Sequence, residues 1–176
     1  MSVVDASTQQ RILALHSCTQ TFAVGIQSLG TAAAAVAPAR VEQFPLGRAL
    51  ANGLFESLET LLPAPSWSTL TRLAVATGPG GFTATRVTVV LARTLAQQLA
   101  IPLDGLSSFQ LMARRLWHAP GEPGNGPFWL VQDLPRHGLV AGLYEADPTV
   151  PGGVAERRPP VLFRQPEHPT AMAPVP

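Results

Sequence analysis

The middle of the chain constrains the fold most, because two short apolar segments there flank a glycine-rich turn and a long helical pattern. Residues 73–77 predict a buried strand, and the turn GPGG at 78–81 follows directly. Residues 83–100 predict a helix that is apolar over more than half of its circumference, and Pro102 ends it. Residues 102–106 predict another buried strand. Strands that alternate with helices in this way indicate a sheet with crossover helices.

The segments before this region add further strands and a second helix. The patterns at 11–17, 21–28 and 31–37 predict a β-meander, in which the alanine-rich third strand is weak. Residues 46–62 carry leucines at steps of four, with Phe55 widening the apolar stripe, and predict an amphipathic helix. A meander followed by alternating strands and helices predicts an α/β fold with a mixed sheet.

The second half of the chain predicts one more helix and a hairpin. Ser107 and Gln110 form a capping-box pattern at the start of a helix over 108–117. Residues 128–133 and 139–145 predict two strands around a short turn.

The proline-rich end of the chain suggests how it is divided. Eight of the 18 prolines lie between Pro148 and the last residue, and no helical pattern occurs there. We therefore predict an N-terminal lobe at 10–106, a partial second lobe at 107–146, and an extended or disordered tail at 147–176.

Composition excludes several classes of chemistry. All twelve basic Lys/Arg residues are Arg, so a P-loop lysine and Schiff-base chemistry are excluded. A single cysteine, Cys18, excludes an internal disulfide and zinc sites of the Cys₂His₂ or Cys₄ kind. A formal charge of +1 gives no electrostatic footprint for independent nucleic-acid binding. The absence of a targeting segment and of a long apolar run predicts a cytoplasmic protein with no membrane span.

The glycine-rich turn at 78–81 has two interpretations. Its backbone N–H groups and the following helix N-terminus could bind an anion. Alternatively, it is a tight connection from strand to helix. The second interpretation is favoured, because Pro79 lacks an N–H and Thr83 stands where a dinucleotide fingerprint has glycine.

The titratable and nucleophilic residues form no recognisable catalytic pattern. Cys18 has no basic neighbour to lower its pKa, and Ser107 and Ser108 lack a nucleophile elbow. Asp133 favours a turn. The histidines show no metal-ligand spacing; they are His16, His118, His137 and His168.

Three segments in the same order resemble the TsaB family, the non-catalytic subunit of the bacterial tRNA threonylcarbamoyladenosine (t6A) machinery. Residues 78–113, beginning GPGGFTATR, are similar to the GPGSFTGLR-type segment of that family and are the most specific part. The opening ILALHSCTQTFAVGI at 12–26 and the hairpin VQDLPRHGLVAGLYEAD at 131–147 are also similar. The resemblance covers roughly residues 10–145.

The resemblance implies an actin-like (ASKHA, ribonuclease H-like) lobe with a shortened second lobe, and a pseudo-enzyme. It implies a scaffold that binds and supports a TsaD-like transferase, which a TsaE-like ATPase joins. A homodimer is also expected in this family. The chain would have no cofactor of its own, ATP and Mg²⁺ would belong to the complex, and tRNA contact would be indirect.

The same resemblance assigns expected roles to residues. His16 stands where the family has Asp, and because imidazole is a poor ligand for Mg²⁺ we expect no independent ATP hydrolysis. The loop that corresponds to the family's turn comprises Gly78, Pro79, Gly80, Gly81, Phe82, Thr83 and Arg86. Gly81 stands where the family has Ser, and the other six residues keep the family pattern. Periodicity leaves open whether the helix at 83–100 packs on the helix at 46–62 or on another subunit. The family's helix-to-helix contact places six side chains at or near an interface: Leu50, Leu54, Leu58, Val87, Val90 and Leu91.

Two other functions remain open on the sequence. One is an actin-like nucleotide-dependent enzyme or a glycoprotease-like peptidase, which would need an acidic Mg²⁺ site or a metal triad. The other is a truncated paralogue that folds but has no function.

Overall fold

A computed structural model of the protein describes residues 10–30, 38–119, 126–134 and 138–164. The chain divides into two compact units, Met1–Leu106 and Ser107–Pro176. No described helix is long and apolar enough to cross a membrane.

The first unit is a five-stranded mixed sheet with two helices. The strand order is β3-β2-β1-β4-β5; β1 pairs antiparallel with β2 and parallel with β4. Strand β3 is antiparallel to β2, and β5 is parallel to β4. The α/β fold with a mixed sheet is therefore confirmed. Its elements are β1 (Gln10–His16), β2 (Phe22–Leu29), β3 (Arg40–Phe44), α1 (Leu50–Leu61), β4 (Arg72–Ala76), α2 (Phe82–Leu99) and β5 (Leu103–Leu106).

The apolar side chains of the strands and helices in this unit form one core. Leu13 and Leu15 of β1 are buried, whereas Ala14 between them is exposed. Both α1 and α2 pack against the same buried cluster, so the two helices cover one face of the sheet. Helix α2 ends where Ala100 adopts the left-handed conformation, directly before Ile101-Pro102.

Two boundaries differ from prediction in this unit. The third strand, predicted at 31–37, lies outside the described residues; the third strand that the structure shows is β3 at 40–44. The predicted helix at 46–62 begins with a short 3₁₀ turn at 47–49, and its α-helical part begins at Leu50.

The second unit, which begins at Ser107, contains a three-stranded antiparallel sheet and one helix. The Ser107 hydroxyl accepts a hydrogen bond from the Gln110 N–H, which caps the helix. The Gln110 side chain instead donates to the Val154 carbonyl at 2.7 Å, so it ties the helix to the sheet. The elements are α3 (Ser108–Trp117), β6 (Phe128–Leu134), β7 (Gly138–Ala146) and β8 (Val154–Phe163), with strand order β6-β7-β8.

The separate tail predicted at 147–176 needs correction. Residues 154–163 form β8 and pair with β7, with Val154 buried in the core of the unit. Pro159 and Pro160 are accommodated because β8 is an edge strand and its register shifts at this place, where the two prolines lie opposite Gly142. Residues 165–176 lie outside the described residues.

Candidate functional site

The glycine-rich turn connects β4 to α2 and lies directly on the turn that follows β1. A Cβ atom added to Gly80 would lie 2.5 Å from the Cys18 carbonyl oxygen, so the two backbones are in contact there. Gly78 has a φ of 104°, which only glycine adopts readily. Both glycines therefore serve the close approach of this turn to the end of β1.

Buried polar groups fasten the same contact. The Ser17 hydroxyl donates to the Ala84 carbonyl at 3.1 Å, and the Thr85 hydroxyl points to the Cys18 sulfur at 3.8 Å. The Cys18 thiol in turn points to the Ala76 carbonyl at 3.8 Å. Backbone and side chains of the β1–β2 turn thus pack against the first turns of α2, which supports the structural interpretation of the GPGG motif.

His16 lies half-buried at the end of β1, and burial lowers the pKa of its imidazole. A neutral imidazole does not supply the hard oxygen ligands that Mg²⁺ prefers, so this position does not fit the metal of an actin-like ATPase. Among the residues that the structure describes, no three His, Cys, Asp or Glu side chains come together as a metal site.

The six residues predicted at a partner interface differ in burial. Four of them are buried in the core of the first unit, so they hold its own sheet and helices together rather than contact a partner: Leu50, Leu54, Leu58 and Leu91. Val87 is half-buried and packs against the same core. Only Val90 is largely exposed, at 62 %.

The outer faces of α1 and α2 carry the large apolar side chains that the sequence interpretation missed. Phe55 on α1 is 56 % exposed and Phe82 at the start of α2 is 72 % exposed. The Arg86 guanidinium lies 5.0 Å from the centre of the Phe82 ring, within the range of a cation–π interaction. We define the outer face as the exposed residues Asn52, Phe55, Glu56, Glu59, Phe82, Arg86, Val90 and Arg93.

Helical spacing in the sequence could have revealed this face. Phe82, Arg86, Val90 and Arg93 follow one another at steps of four, four and three, which places them along one side of α2. Phe55 had been assigned to the leucine stripe, although it lies beside Glu56 and three positions from Asn52.

A family model described as "TsaD: tRNA N6-adenosine threonylcarbamoyltransferase" matches residues 58–146, which is half of the chain. The matched segment includes the glycine-rich turn and all of α2. The chain belongs to this family. A curated relative, the tRNA threonylcarbamoyladenosine biosynthesis protein TsaB of Bacillus subtilis, is 37 % identical over 76 residues. That match covers 43 % of this chain and 31 % of the relative, so the chain spans about a third of its length.

Solved structures support the TsaB/YeaZ-type fold. YeaZ from Pseudomonas aeruginosa superimposes with a TM-score of 0.68 at 20 % identity, covering 88 % of this chain and 67 % of that one. A protein from Pseudomonas aeruginosa with similarity to peptidase YeaZ gives a TM-score of 0.69 at 21 % identity, with the same coverage. These likenesses confirm the α/β fold with a mixed sheet that the sequence predicted.

Proposed function

We propose that this chain is a non-catalytic TsaB-like subunit that binds and supports a TsaD-like transferase in the cytoplasmic formation of t6A in tRNA. The family match and the name of the curated relative support this pathway. The observation that carries the scaffold role is the outer face, where exposed aromatic and charged side chains lie on two neighbouring helices above a complete core.

The site around the glycine-rich turn supports a role without chemistry of its own. Gly80 lies against the Cys18 backbone, and the nearby polar groups are used to fasten the turn. His16 takes the place of a carboxylate. In this proposal the chain needs no cofactor, ATP and Mg²⁺ belong to the complex with a TsaE-like ATPase, and the partner makes the main contact with tRNA.

A pair of valine substitutions tests the scaffold role. Val90 on the outer face and Val131 on β6 are both exposed, at 62 % and 48 %. Val90→Arg should abolish capture of a co-expressed TsaD-like subunit, because it places a charge in an apolar contact. Val131→Arg is the matched control and should leave capture unchanged. Equal capture by both variants would show that the outer face is not the contact.

A further inference from the structure

The sheet of the second unit ends on one side in β6, which pairs with β7 alone among the described strands. The sequence of β6, FWLVQDL, contains five large apolar residues and neither proline nor glycine. None of its seven residues is buried, whereas the neighbouring β7 is buried over most of its length. Strand β6 therefore leaves apolar surface uncovered at the edge of the sheet.

Apolar side chains lie on both faces of β6. Phe128, Leu130 and Leu134 pack at the margin of the core that Phe109 of α3 shares with the sheet. Trp129 and Val131 alternate with them and therefore lie on the opposite face. A strand with apolar side chains on both faces is typical of a position between two other strands rather than of an edge.

The other sheet edges in the described structure carry features that oppose pairing with a further strand. Strand β3 has Arg40 and Glu42 at exposed positions, and β5 has only four residues. Strand β8 contains two adjacent prolines. Strand β6 is longer than β5, has no proline, and carries its one charged residue, Asp133, next to its last position. Of these edges, β6 is the one that can accept a strand.

The first unit shows what occupies the corresponding edge there. Strands β1, β2 and β3 form an antiparallel meander, and β4 pairs in parallel with the other side of β1. Strands β6, β7 and β8 form a meander of the same kind, in which β6 takes the place of β1. Strand β4 is apolar, and Leu73, Val75 and Ala76 in it are buried. The edge of β6 therefore suits a parallel, apolar strand.

We propose that the edge of β6 binds an extended segment of another protein, which joins the sheet as a strand parallel to β6. Main-chain hydrogen bonds along β6 hold this segment, and its side chains lie alternately beside Leu130 and beside Val131. The paired part of the segment is therefore apolar on both faces and contains no proline.

This inference goes beyond the proposed function. The strand site lies in the second unit, whereas the proposed contact with the transferase uses α1 and α2 of the first unit. A protein other than the transferase supplies the segment. Loss of the segment should therefore leave capture of the TsaD-like subunit intact.

A phage-displayed library of short random peptides is the probe for this site. The library is selected on the purified full chain, and the enriched peptides are synthesised and titrated by fluorescence anisotropy. Enriched peptides should share a proline-free run of about four or more apolar residues, the length of a short strand. A selection that enriches no such run would overturn the proposal.

Val131 and Val161 provide a matched pair of substitutions. Both pair with Ala141 of β7, Val131 from β6 and Val161 from β8, and they are 48 % and 51 % exposed. Val131→Arg places a charge beside the incoming strand and should weaken binding of the synthetic peptide at least about tenfold. Val161→Arg is the control and should change binding by no more than about twofold, as an exposed substitution away from the contact does.

Amide hydrogen exchange tests the site without any substitution. The bound peptide should slow exchange of amides in β6 and leave those in β8 unchanged, because only β6 gains main-chain hydrogen bonds. A nitroxide at the N-terminus of the peptide tests the orientation. It should broaden the amide NMR signals of Phe128 and Trp129 more than those of Asp133 and Leu134, because the two strands run in the same direction.

Three results would overturn the proposal. The first is equal binding of the peptide by Val131→Arg and by the unaltered chain, with both folded by circular dichroism, or unchanged exchange of the β6 amides. The second is stronger broadening at Asp133 and Leu134, which excludes the parallel arrangement. The third is self-association of the unaltered chain that Val131→Arg abolishes in sedimentation velocity, since a second copy would then occupy the edge.

Capture of the TsaD-like subunit is measured on the same preparations. Val131→Arg should lose the peptide and keep the subunit, and Val90→Arg should lose the subunit and keep the peptide. If the unaltered chain captures the subunit but binds no peptide at β6, this inference fails and the proposed function stands. If it binds the peptide at β6 but captures no subunit, the proposed function fails alone.

Discussion

At the residue scale, two positions affect the stability of the first unit: Gly80, which has no Cβ, and Thr88, whose buried hydroxyl has no hydrogen-bond partner among the described residues. Gly80 lacks the Cβ that would clash with the Cys18 backbone, and this absence lets the glycine-rich turn pack against the turn that follows β1. Thr88 lies at the centre of α2 with its hydroxyl buried and no hydrogen-bond partner among the described residues. Each position gives a test of stability that requires no assumption about function.

Gly80→Ala should lower the free energy of unfolding by about 1–3 kcal/mol, because the new methyl group meets backbone that cannot rotate away. Gly81→Ala is the control: its φ is −59° and an added Cβ would lie 4.0 Å from the Ala84 Cβ. Urea denaturation measures both. A loss that is equal for the two alanines would contradict the contact with Cys18.

Thr88→Val should raise the free energy of unfolding by about 1 kcal/mol, because it replaces an unpaired buried hydroxyl by a methyl group of the same shape. Thr85→Val changes the neighbouring buried threonine, whose hydroxyl points to Cys18, and should not stabilise the protein. Denaturation midpoints of the two variants are compared. If Thr88→Val is no more stable than the unaltered protein, its hydroxyl has a partner after all.

His16 makes stability depend on pH. Because burial lowers its pKa in the folded state, the unfolded chain binds more protons between that value and the ordinary value of about 6.5. The contribution is therefore fully present above about pH 6.5 and is lost as the pH falls through the folded-state pKa. His16→Gln should reduce the slope of unfolding free energy between about pH 7.5 and 5.5. If the unfolding free energies of His16→Gln and of the unaltered protein change equally with pH, this expectation is wrong.

At the scale of elements, the sequence predicted both helices of the first unit, but four of the six side chains predicted at an interface lie in the core of that unit. A leucine every fourth residue marks an apolar stripe without saying whether a sheet or a partner covers it. In α1 the sheet covers it, and Leu54 is buried while the adjacent Phe55 is exposed. The capping pattern at Ser107 correctly predicted the start of α3. Strand β8 was not predicted, because prolines argue against a strand except at an edge or a bulge.

Leu54 and Phe55 are neighbours that should respond differently to the same change. Leu54→Arg places a charge in the core and should lower the free energy of unfolding by several kcal/mol, which would prevent folding rather than weaken binding selectively. Phe55→Arg should change stability by no more than about 0.5 kcal/mol and should still impair association. Thermal melting and partner capture measure the two effects. A folded, association-defective Leu54→Arg would contradict this distinction.

At the scale of the whole molecule, the fold class and the position of the glycine-rich turn followed from the sequence, because periodicity and glycine report on backbone geometry. Helical spacing groups the exposed residues within each helix, but it does not show that the two groups lie side by side. That depends on α1 and α2 packing against the same core.

Restoration of t6A tests the assignment of the whole chain. In bacterial cells depleted of their own TsaB, expression of this chain together with its own TsaD-like subunit should restore t6A, measured by mass spectrometry of tRNA nucleosides. Val90→Arg should not restore it, and Val131→Arg should.

Failure of the unaltered chain to restore t6A, if it is folded and expressed, would favour a paralogue without function. ATP turnover by the purified chain, lost on Gly80→Ala, would favour an enzyme.

The two prolines in β8 have a consequence for how copies of this chain meet. An outer strand of a sheet is a template on which a strand of another molecule can form, and such growth leads to aggregates rather than closed dimers. Pro159 and Pro160 offer no amide hydrogens at adjacent positions of β8, and Arg157 and Arg158 precede them. This edge is therefore a poor template, and the second unit discourages open-ended growth from that side.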